Sequence, residues 1–283
     1  MKVKLVASDL DGTIIDKNNN ISAKNFDAIK KIHKKKIDFA ICTGKAYSVS
    51  KKICDKFTAT YGIFGNGTQI INLKTGQELL RRTLEKKDLL FIVTFAKRYN
   101  YHIHLYTETE IISEKLEYMD LRNYKLRNQN STDGLKFKII PDILEFIEKT
   151  DIEVFSAVIS SSESNLTYFK SLLNINSNIE TTFINKRGKY RDKIINKDYE
   201  YLNIAPNNIN KNEALNFLSK HLNISKENML AIGDNINDLE MVKNTGIGVA
   251  VNSAYDDLKK VAKYVTKTSV SDGAFAEAID KFI

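Results

Sequence analysis

Two aspartates, Asp9 and Asp11, follow the short apolar segment Lys4–Ser8. An apolar run broken by acids and a glycine is typical of a buried strand that ends in a loop. Side chains two positions apart on extended backbone project to the same side, so both carboxylates would share one crevice. With Mg²⁺ between the pair and a phosphate, one carboxylate could act as nucleophile and the other as acid and base. The alternative is a surface loop in which an aspartate caps a turn.

The segment Asp9-Leu10-Asp11-Gly12-Thr13 resembles the opening signature, Asp-x-Asp-Gly-Thr, of the haloacid dehalogenase superfamily of phosphatases. Four specified positions rarely recur by chance at the end of an apolar run. The resemblance implies that Asp9 is the nucleophile and Asp11 the acid and base, and that both contribute to the Mg²⁺ site. We also expect Leu10 and Gly12 to contact phosphate.

Two further motifs of this superfamily are weak when taken singly. Thr43 and Gly44 follow the apolar run Ile37–Cys42 and match the second motif, whose hydroxyl hydrogen-bonds the phosphoryl group. A Thr-Gly pair at a strand end is otherwise an ordinary turn. Lys211 opens an apolar-faced helix and matches the third motif, a cation that pairs with nucleophile and phosphate. The next residue after Gly44 is Lys45. The Cof-type branch of this superfamily, to which further residues are similar, usually carries arginine there, and the role of Lys45 is left open.

The segment Gly233-Asp234-Asn235-Ile236-Asn237-Asp238 follows the apolar run Met229–Ile232 and resembles the fourth motif. That motif supplies acidic metal ligands from a loop at a strand end. The resemblance implies that Asp234 binds Mg²⁺ directly and that Asn237 holds phosphate. Asp238 is expected to bind the metal through water or to orient its neighbours, although it could also simply cap the following helix.

The elements that must position these residues alternate between strand and helix at both ends of the chain, which indicates a parallel sheet with functional loops at the carboxyl ends of its strands. In the middle, neighbouring strands follow one another without an intervening helix, which indicates an antiparallel sheet. We therefore predict an α/β fold: a Rossmann-like, doubly wound parallel core (1–83 and 208–283) and an inserted α/β cap domain on an antiparallel sheet (84–207). Further matches resemble the Cof-type branch of sugar-phosphate phosphatases, which inserts its cap between the second and third motifs: Gly65-Asn66-Gly67, Asn252 and Asp272-Gly273.

Composition narrows the class of protein. The chain has 283 residues, 42% of them hydrophobic, which predicts a globular enzyme of one or two domains. Its formal charge of +8 would suit nucleic acid, an acidic membrane or phosphorylated small molecules. The lysines are scattered, and the densest run, Lys34-Lys35-Lys36, is typical of a solvated helix end. Short apolar runs and two isolated cysteines, Cys42 and Cys54, lead us to expect a cytoplasmic protein without a membrane span, signal region or disulfide framework.

The function predicted from the sequence is Mg²⁺-dependent hydrolysis of phosphate monoesters of small metabolites, sugar phosphates among them, through an aspartyl-phosphate. We expect the protein to accept several small phosphorylated substrates. Neither nucleic acid nor a membrane is expected as a partner, and the sequence does not indicate an oligomeric state. One alternative is a phosphosugar mutase, which returns the phosphoryl group to sugar. Another is a non-catalytic protein that binds phosphosugar or nucleic acid, which the intact Asp9, Asp11, Lys211 and Asp234 oppose.

Overall fold

A computed structural model of the chain describes residues 2–16, 18–116, 134–184, 190–192 and 197–283. The chain divides into two compact units. The first, the core unit, comprises the residues up to Arg81 and then Asn210–Ile283. The second, the inserted unit, comprises Arg82–Ile209. That the inserted unit selects the substrate stays a prediction.

Strands and helices alternate at both ends of the described chain, whereas some strands in between follow one another directly. The strands are β1 (Leu5–Ser8), β2 (Asp38–Cys42), β3 (Tyr61–Phe64), β4 (Gln69–Asn72), β5 (Gln77–Arg81), β6 (His102–Tyr106), β7 (Glu110–Ser113), β8 (Lys136–Ile139), β9 (Ser156–Ser161), β10 (Ile179–Phe183), β11 (Tyr190–Asp192), β12 (Lys197–Pro206), β13 (Met229–Gly233), β14 (Ile247–Ala250) and β15 (Tyr264–Val265). The α-helices are α1 (Ala23–Lys34), α2 (Tyr47–Phe57), α3 (Lys86–Arg98), α4 (Ile143–Lys149), α5 (Glu163–Leu173), α6 (Lys211–Leu222), α7 (Leu239–Lys243), α8 (Asp256–Val261) and α9 (Ala274–Phe282).

The sheet of the core unit has the strand order β15-β14-β13-β1-β2-β3-β4-β5. The strands from β15 to β3 pair in parallel, which confirms the predicted parallel sheet. Strands β4 and β5 add an antiparallel hairpin at one edge. This hairpin is not predictable from the sequence pattern, because the half-exposed edge strand β5 reads Gln-Glu-Leu-Leu-Arg and lacks an apolar run.

Helices cover both faces of this sheet. On one face, Phe39 and Ile41 of β2 belong to the same apolar cluster as Phe275 of α9. On the other, Ala40 of β2 shares a cluster with Leu215 of α6. Because both faces are buried, the strands read as continuous apolar runs, and this made them recognisable in the sequence.

The inserted unit is built on a sheet of order β10-β12-β9-β6-β7-β8, with β11 paired to β12. Most pairs are antiparallel as predicted, but β7 and β8 run parallel. A parallel pair cannot be joined by a tight turn, so β7 and β8 do not form a hairpin. Ile103 and Leu105 of β6 pack with α3 and α5, while His102 and His104 alternate onto the other face and are also buried.

The helices end as their sequences predict. Ser22 caps α1 by accepting a hydrogen bond from the Asn25 amide. The last turn of α1 runs into the exposed lysines Lys34, Lys35 and Lys36, where positive charge complements the helix dipole. Across the described ranges, none of the helices has both the length and the apolar character required to cross a membrane.

Candidate active site

The loops that carry the predicted site residues begin at the carboxyl ends of neighbouring parallel strands. Asp9 follows β1, and its amide donates to the carbonyl of Ile232 on β13 at 2.9 Å. Thr43 follows β2, and its amide donates to the carbonyl of Ile63 on β3 at 2.8 Å. These bonds continue the sheet ladder one residue past β1 and β2. The backbone of both residues is therefore held as firmly as the sheet itself.

Lys211, the first residue of α6, is buried against two carboxylates. Its ammonium lies 2.6 Å from Oδ1 of Asp9 and 2.6 Å from Oδ1 of Asp238. Lys211 is only 1% exposed, and a buried lysine is stable only when it is paired. Burial lowers the pKa of Lys211, but the charges and hydrogen bonds of Asp238 and Asp9 outweigh burial and raise it. Lys211 is therefore a permanent cation beneath the site.

Asp238 holds the fourth-motif loop together. Its Oδ1 accepts from Lys211, and its Oδ2 accepts from the amides of Asp234 and Asn235, both at 3.1 Å. A side chain at Gly233 would begin 2.4 Å from Cβ of Asp238, so only glycine permits this approach. With both carboxylate oxygens engaged, Asp238 orients its neighbours. The prediction that Asp238 is a metal ligand is compatible with a contact in which a water molecule lies between Asp238 and the metal.

An acidic cluster lies beside the buried lysine. Single carboxylate oxygens of Asp9, Asp234 and Asp238 all lie within 4.8 Å of one another. The set offers oxygen donors only, which suits a hard divalent cation such as Mg²⁺ or Ca²⁺. Gly12 adopts φ +82°, and a Cβ there would lie 2.5 Å from Oδ2 of Asp234. Glycine at this position therefore lets the first and fourth motif loops approach closely enough to form the cluster.

Burial and the neighbouring carboxylates disfavour the ionised form of Asp9. Burial is the main cause that raises its pKa, Lys211 opposes the rise, and the charges of Asp238 and Asp234 add to it. Asp9 is 6% exposed, so water screens this repulsion poorly. One lysine shared with Asp238 does not offset three carboxylates. The residues present therefore fit a divalent cation, which would favour the ionised form of Asp9.

Thr43 offers a hydroxyl with its proton available. Its Oγ1 accepts from the amide of Lys45 at 3.1 Å, and the residue is 1% exposed. A hydroxyl that already accepts a hydrogen bond is oriented to donate its own proton elsewhere. The geometry therefore gives Thr43 a donor for an anionic ligand.

Asp11 points to a different partner from Asp9. Its Oδ1 lies 2.6 Å from the ammonium of Lys45, and both side chains are partly exposed. Asp11 is not part of the group formed by Asp9, Asp234 and Asp238, whose carboxylate oxygens lie within 4.8 Å of one another. Its predicted contact with the metal stays a prediction.

A cavity of about 170 Å³ opens above these groups in the core unit. Polar and charged residues from three loops line it: Asp9, Asp11, Thr43, Gly44, Lys45, Asp234, Asn235 and Asn237. Such a wall suits a small, strongly charged ligand rather than an apolar one. Asp9 and Asp234 of the acidic cluster line the same space as the donors of Thr43, Lys45 and Asn237, as recognition of a phosphate with a metal requires.

The sequence matches the family described as haloacid dehalogenase-like hydrolase over residues 6–279. The chain belongs to this family. The family generally uses a divalent metal, in agreement with the acidic cluster, and the resemblance noted in the sequence is confirmed.

Curated relatives of this hydrolase include several proteins named as phosphatases. It is 26% identical to the phosphatase YwpJ of Bacillus subtilis, over 96% of this chain and 97% of the relative. It is 28% identical to the 5-amino-6-(5-phospho-D-ribitylamino)uracil phosphatase YwtE of the same organism, over 99% and 98%. The fold matches that of the phosphatase BT1666 from Bacteroides thetaiotaomicron with a TM-score of 0.80 at 21% identity, over 99% of this chain and 95% of the other. The chain is a phosphatase of the hydrolase class.

The hydrolase brings most of its sequence-predicted site residues to the cavity. Four lie outside its wall: Leu10, Gly12, Lys211 and Asp238. Leu10 is 1% exposed with its side chain in the apolar core, so only its backbone could reach phosphate. Lys211 and Asp238 act from beneath, through Asp9 and the fourth-motif loop. Sequence reasoning missed Asn235 and left Lys45 without a role, because a lone polar side chain in a loop gives no pattern to recognise.

Proposed function

We propose that this hydrolase removes phosphate from monoesters of small metabolites, with Mg²⁺ and through an aspartyl-phosphate on Asp9. The observation that carries the proposal is the buried Asp9 carboxylate, which lines the cavity while its Oδ1 is held by Lys211 at 2.6 Å. One oxygen anchored by a permanent cation leaves Oδ2 to attack. An anchored nucleophile needs no reorganisation before reaction, which lowers the barrier.

In the first step, Oδ2 of Asp9 forms a bond to phosphorus while the bond from phosphorus to the ester oxygen breaks. Asp11, in its protonated form, gives its proton to the leaving alkoxide. In the second step, Asp11 takes a proton from water, whose oxygen bonds to phosphorus and releases Asp9. Asp11 ends with the proton that it began with, so the cycle balances.

The other residues bind and orient the transferring group. Thr43 and Asn237 donate hydrogen bonds to phosphoryl oxygens, and Lys45 supplies positive charge at the cavity wall. Asp9 and Asp234 would hold Mg²⁺, with Asp238 acting through water. When bound, the metal neutralises charge on phosphate and on Asp9. Lys211 keeps Asp9 in place throughout.

For the substrate we propose phosphorylated sugars and related polyols. The YwtE relative is named for a phosphoribityl compound, which carries its phosphate on an open-chain polyol. The cavity of the core unit has groups suited to phosphate and metal, so recognition of the leaving group is left to other residues. We assign that selection to the inserted unit.

The proposal is tested with a panel of phosphorylated metabolites, including hexose phosphates, flavin and pyridoxal phosphates and 5-amino-6-(5-phospho-D-ribitylamino)uracil. We expect release of inorganic phosphate that requires Mg²⁺ and stops in EDTA. Asp9→Asn should abolish turnover while the folded protein keeps its circular dichroism spectrum. Full activity in Asp9→Asn, or return of the phosphoryl group to sugar instead of water, would contradict the proposal.

A further inference from the structure

The short turn Gly65–Gly67, which follows β3, lies against the second-motif loop of the core unit. The amide of Asn66 donates to the carbonyl of Thr43 at 3.0 Å, and the amide of Gly65 donates to the carbonyl of Lys45 at 3.0 Å. Two backbone bonds therefore bracket the segment that presents Thr43, Gly44 and Lys45 to the cavity. The position of that segment depends on this turn.

The side chain of Asn66 reaches a second loop. Its Oδ1 accepts a hydrogen bond from Nδ2 of Asn237 at 2.9 Å. It also lies against Gly44, where a Cβ would come within 3.1 Å of the same oxygen. Asn66 has φ 57°, a left-handed conformation that asparagine tolerates better than most residues. One residue thus connects the second and fourth motif loops.

The same turn also abuts the third motif. Gly67 has φ +114°, and a Cβ on it would lie 2.6 Å from the carbonyl oxygen of Asn210. Asn210 caps α6, whose first residue is Lys211. The turn therefore packs against the segment that leads into Lys211, and its glycines make this approach possible.

We propose that Asn66 is a positioning residue for the phosphoryl-transfer site, which holds the amide of Asn237 in the orientation that binds phosphate. The inference rests on the proposed function. Nδ2 of Asn237 has two hydrogens, and with one donated to Asn66 the other is available to a ligand in the cavity. Without Asn66 the amide can rotate, and its oxygen can turn toward the phosphate, where it would repel.

The turn itself does not need the Asn66 side chain. Its backbone is closed by the bond from the Thr68 amide to the Gly65 carbonyl, and the Thr68 hydroxyl donates to the carbonyl of Phe64. Asn66→Gly therefore keeps the left-handed backbone without strain while removing the contact with Asn237. Asn223→Gly is a matched control, because Asn223 is exposed, has φ 52° and caps the end of α6 opposite to Lys211.

The experiment is a double-mutant cycle on Asn66→Gly and Asn237→Ala, which isolates the coupling between the two side chains. We expect each single substitution to lower kcat/KM about tenfold, as loss of a charge-assisted hydrogen bond would, and the double variant to be no worse than Asn237→Ala. Asn223→Gly should retain wild-type kcat/KM. The proposal is overturned if the fold-losses in kcat/KM of the two single variants multiply in the double variant. It is also overturned if Asn66→Gly has the same kcat/KM as Asn223→Gly. A loss of fold is excluded by comparing thermal midpoints with the same control.

The cycle is repeated for the binding of inorganic phosphate in the presence of Mg²⁺, measured by calorimetry, because binding needs no turnover. We expect the same coupled loss of affinity. If the wild-type protein binds phosphate with this coupling but hydrolyses no ester, the proposed function fails and the role of Asn66 stands. If phosphate affinity falls independently in the two variants, the role of Asn66 fails whatever the activity.

Discussion

The ammonium of Lys45 lies 2.6 Å from Oδ1 of Asp11, which joins the second-motif loop to the predicted acid and base. The two side chains are 38% and 45% exposed, so the pair adds little to folding stability. Its importance is for the chemistry. Lys45 lines the cavity and can exchange Asp11 for a phosphate oxygen, whereas Lys211 is committed to Asp9 and Asp238.

Lys45→Met should therefore lower kcat/KM about tenfold, because the variant keeps the length of the side chain but loses a charge-assisted contact with phosphate. Lys45→Arg, which keeps the charge, should stay within about threefold of the wild type. Lys51→Met is the control, since Lys51 forms an exposed pair with Asp55 within α2. Steady-state kinetics decide the matter: equal kcat/KM for Lys45→Met and Lys51→Met would contradict this role.

Mg²⁺ should stabilise the protein through the acidic cluster. At a concentration about 100 times its Kd, a ligand of the folded state adds about 2.7 kcal/mol, which is visible as a rise in thermal midpoint. Asp234→Asn should abolish most of this rise. It should also raise the midpoint of the metal-free protein, because it removes a charge that repels Asp9.

The control for the metal prediction is Asp256→Asn, because the side chain of Asp256 lies on α8 and is 90% exposed. This variant should respond to Mg²⁺ as the wild type does. Thermal unfolding in EDTA and in Mg²⁺ makes the comparison. A wild-type midpoint that is unchanged by Mg²⁺ would count against a metal site here.

Asp238→Asn should be strongly destabilising, since it leaves Lys211 with one carboxylate and puts an amide where three donors converge. Removing one partner of a buried ion pair costs about 3 kcal/mol. Asp257→Asn, which breaks an exposed pair with Lys260, should change the free energy of unfolding by less than about 0.5 kcal/mol. Urea denaturation in EDTA measures both. Similar values for the two variants would show that the buried network is not needed for stability.

Glu277 of α9 should make the free energy of unfolding depend on pH in the acidic range. Burial alone would raise the pKa of Glu277, but hydrogen bonds from the Tyr264 hydroxyl and from the amides of Lys267 and Thr268, with the Thr268 hydroxyl, lower it from 4.5 to about 2. A carboxyl with a lowered folded-state pKa stabilises the protein above its unfolded pKa, and the stabilisation is lost as pH falls through the folded value.

Glu277→Gln should therefore reduce the free energy of unfolding by about 2 kcal/mol at pH 7, as expected for lost hydrogen bonds to a charged group. The difference from the wild type should shrink between pH 4.5 and about 2. Tyr264→Phe removes one donor and should have a smaller effect. Chemical denaturation across this pH range measures all three proteins, and a difference that does not change with pH would contradict the prediction.

The core fold could be predicted from the sequence because its parallel strands are buried on both faces. Lys4–Ser8, Ile37–Cys42 and Met229–Ile232 are mainly apolar, and they correspond to β1, β2 and β13. Elements without such a signal were missed. The edge strand β5 is half exposed, and local sequence does not encode whether β8 runs parallel or antiparallel to β7.

By itself, the sequence determined that Asp9, Thr43 and Asp234 would meet, because residues that follow parallel strands share one edge of the sheet. Only the tertiary structure decided the partners of individual side chains. Lys211 reaches Asp9 across 202 positions of the chain, and Asn237 reaches Asn66 across 171. Such contacts depend on strand register, helix placement and rotamers together, and each is fixed only when the chain is packed.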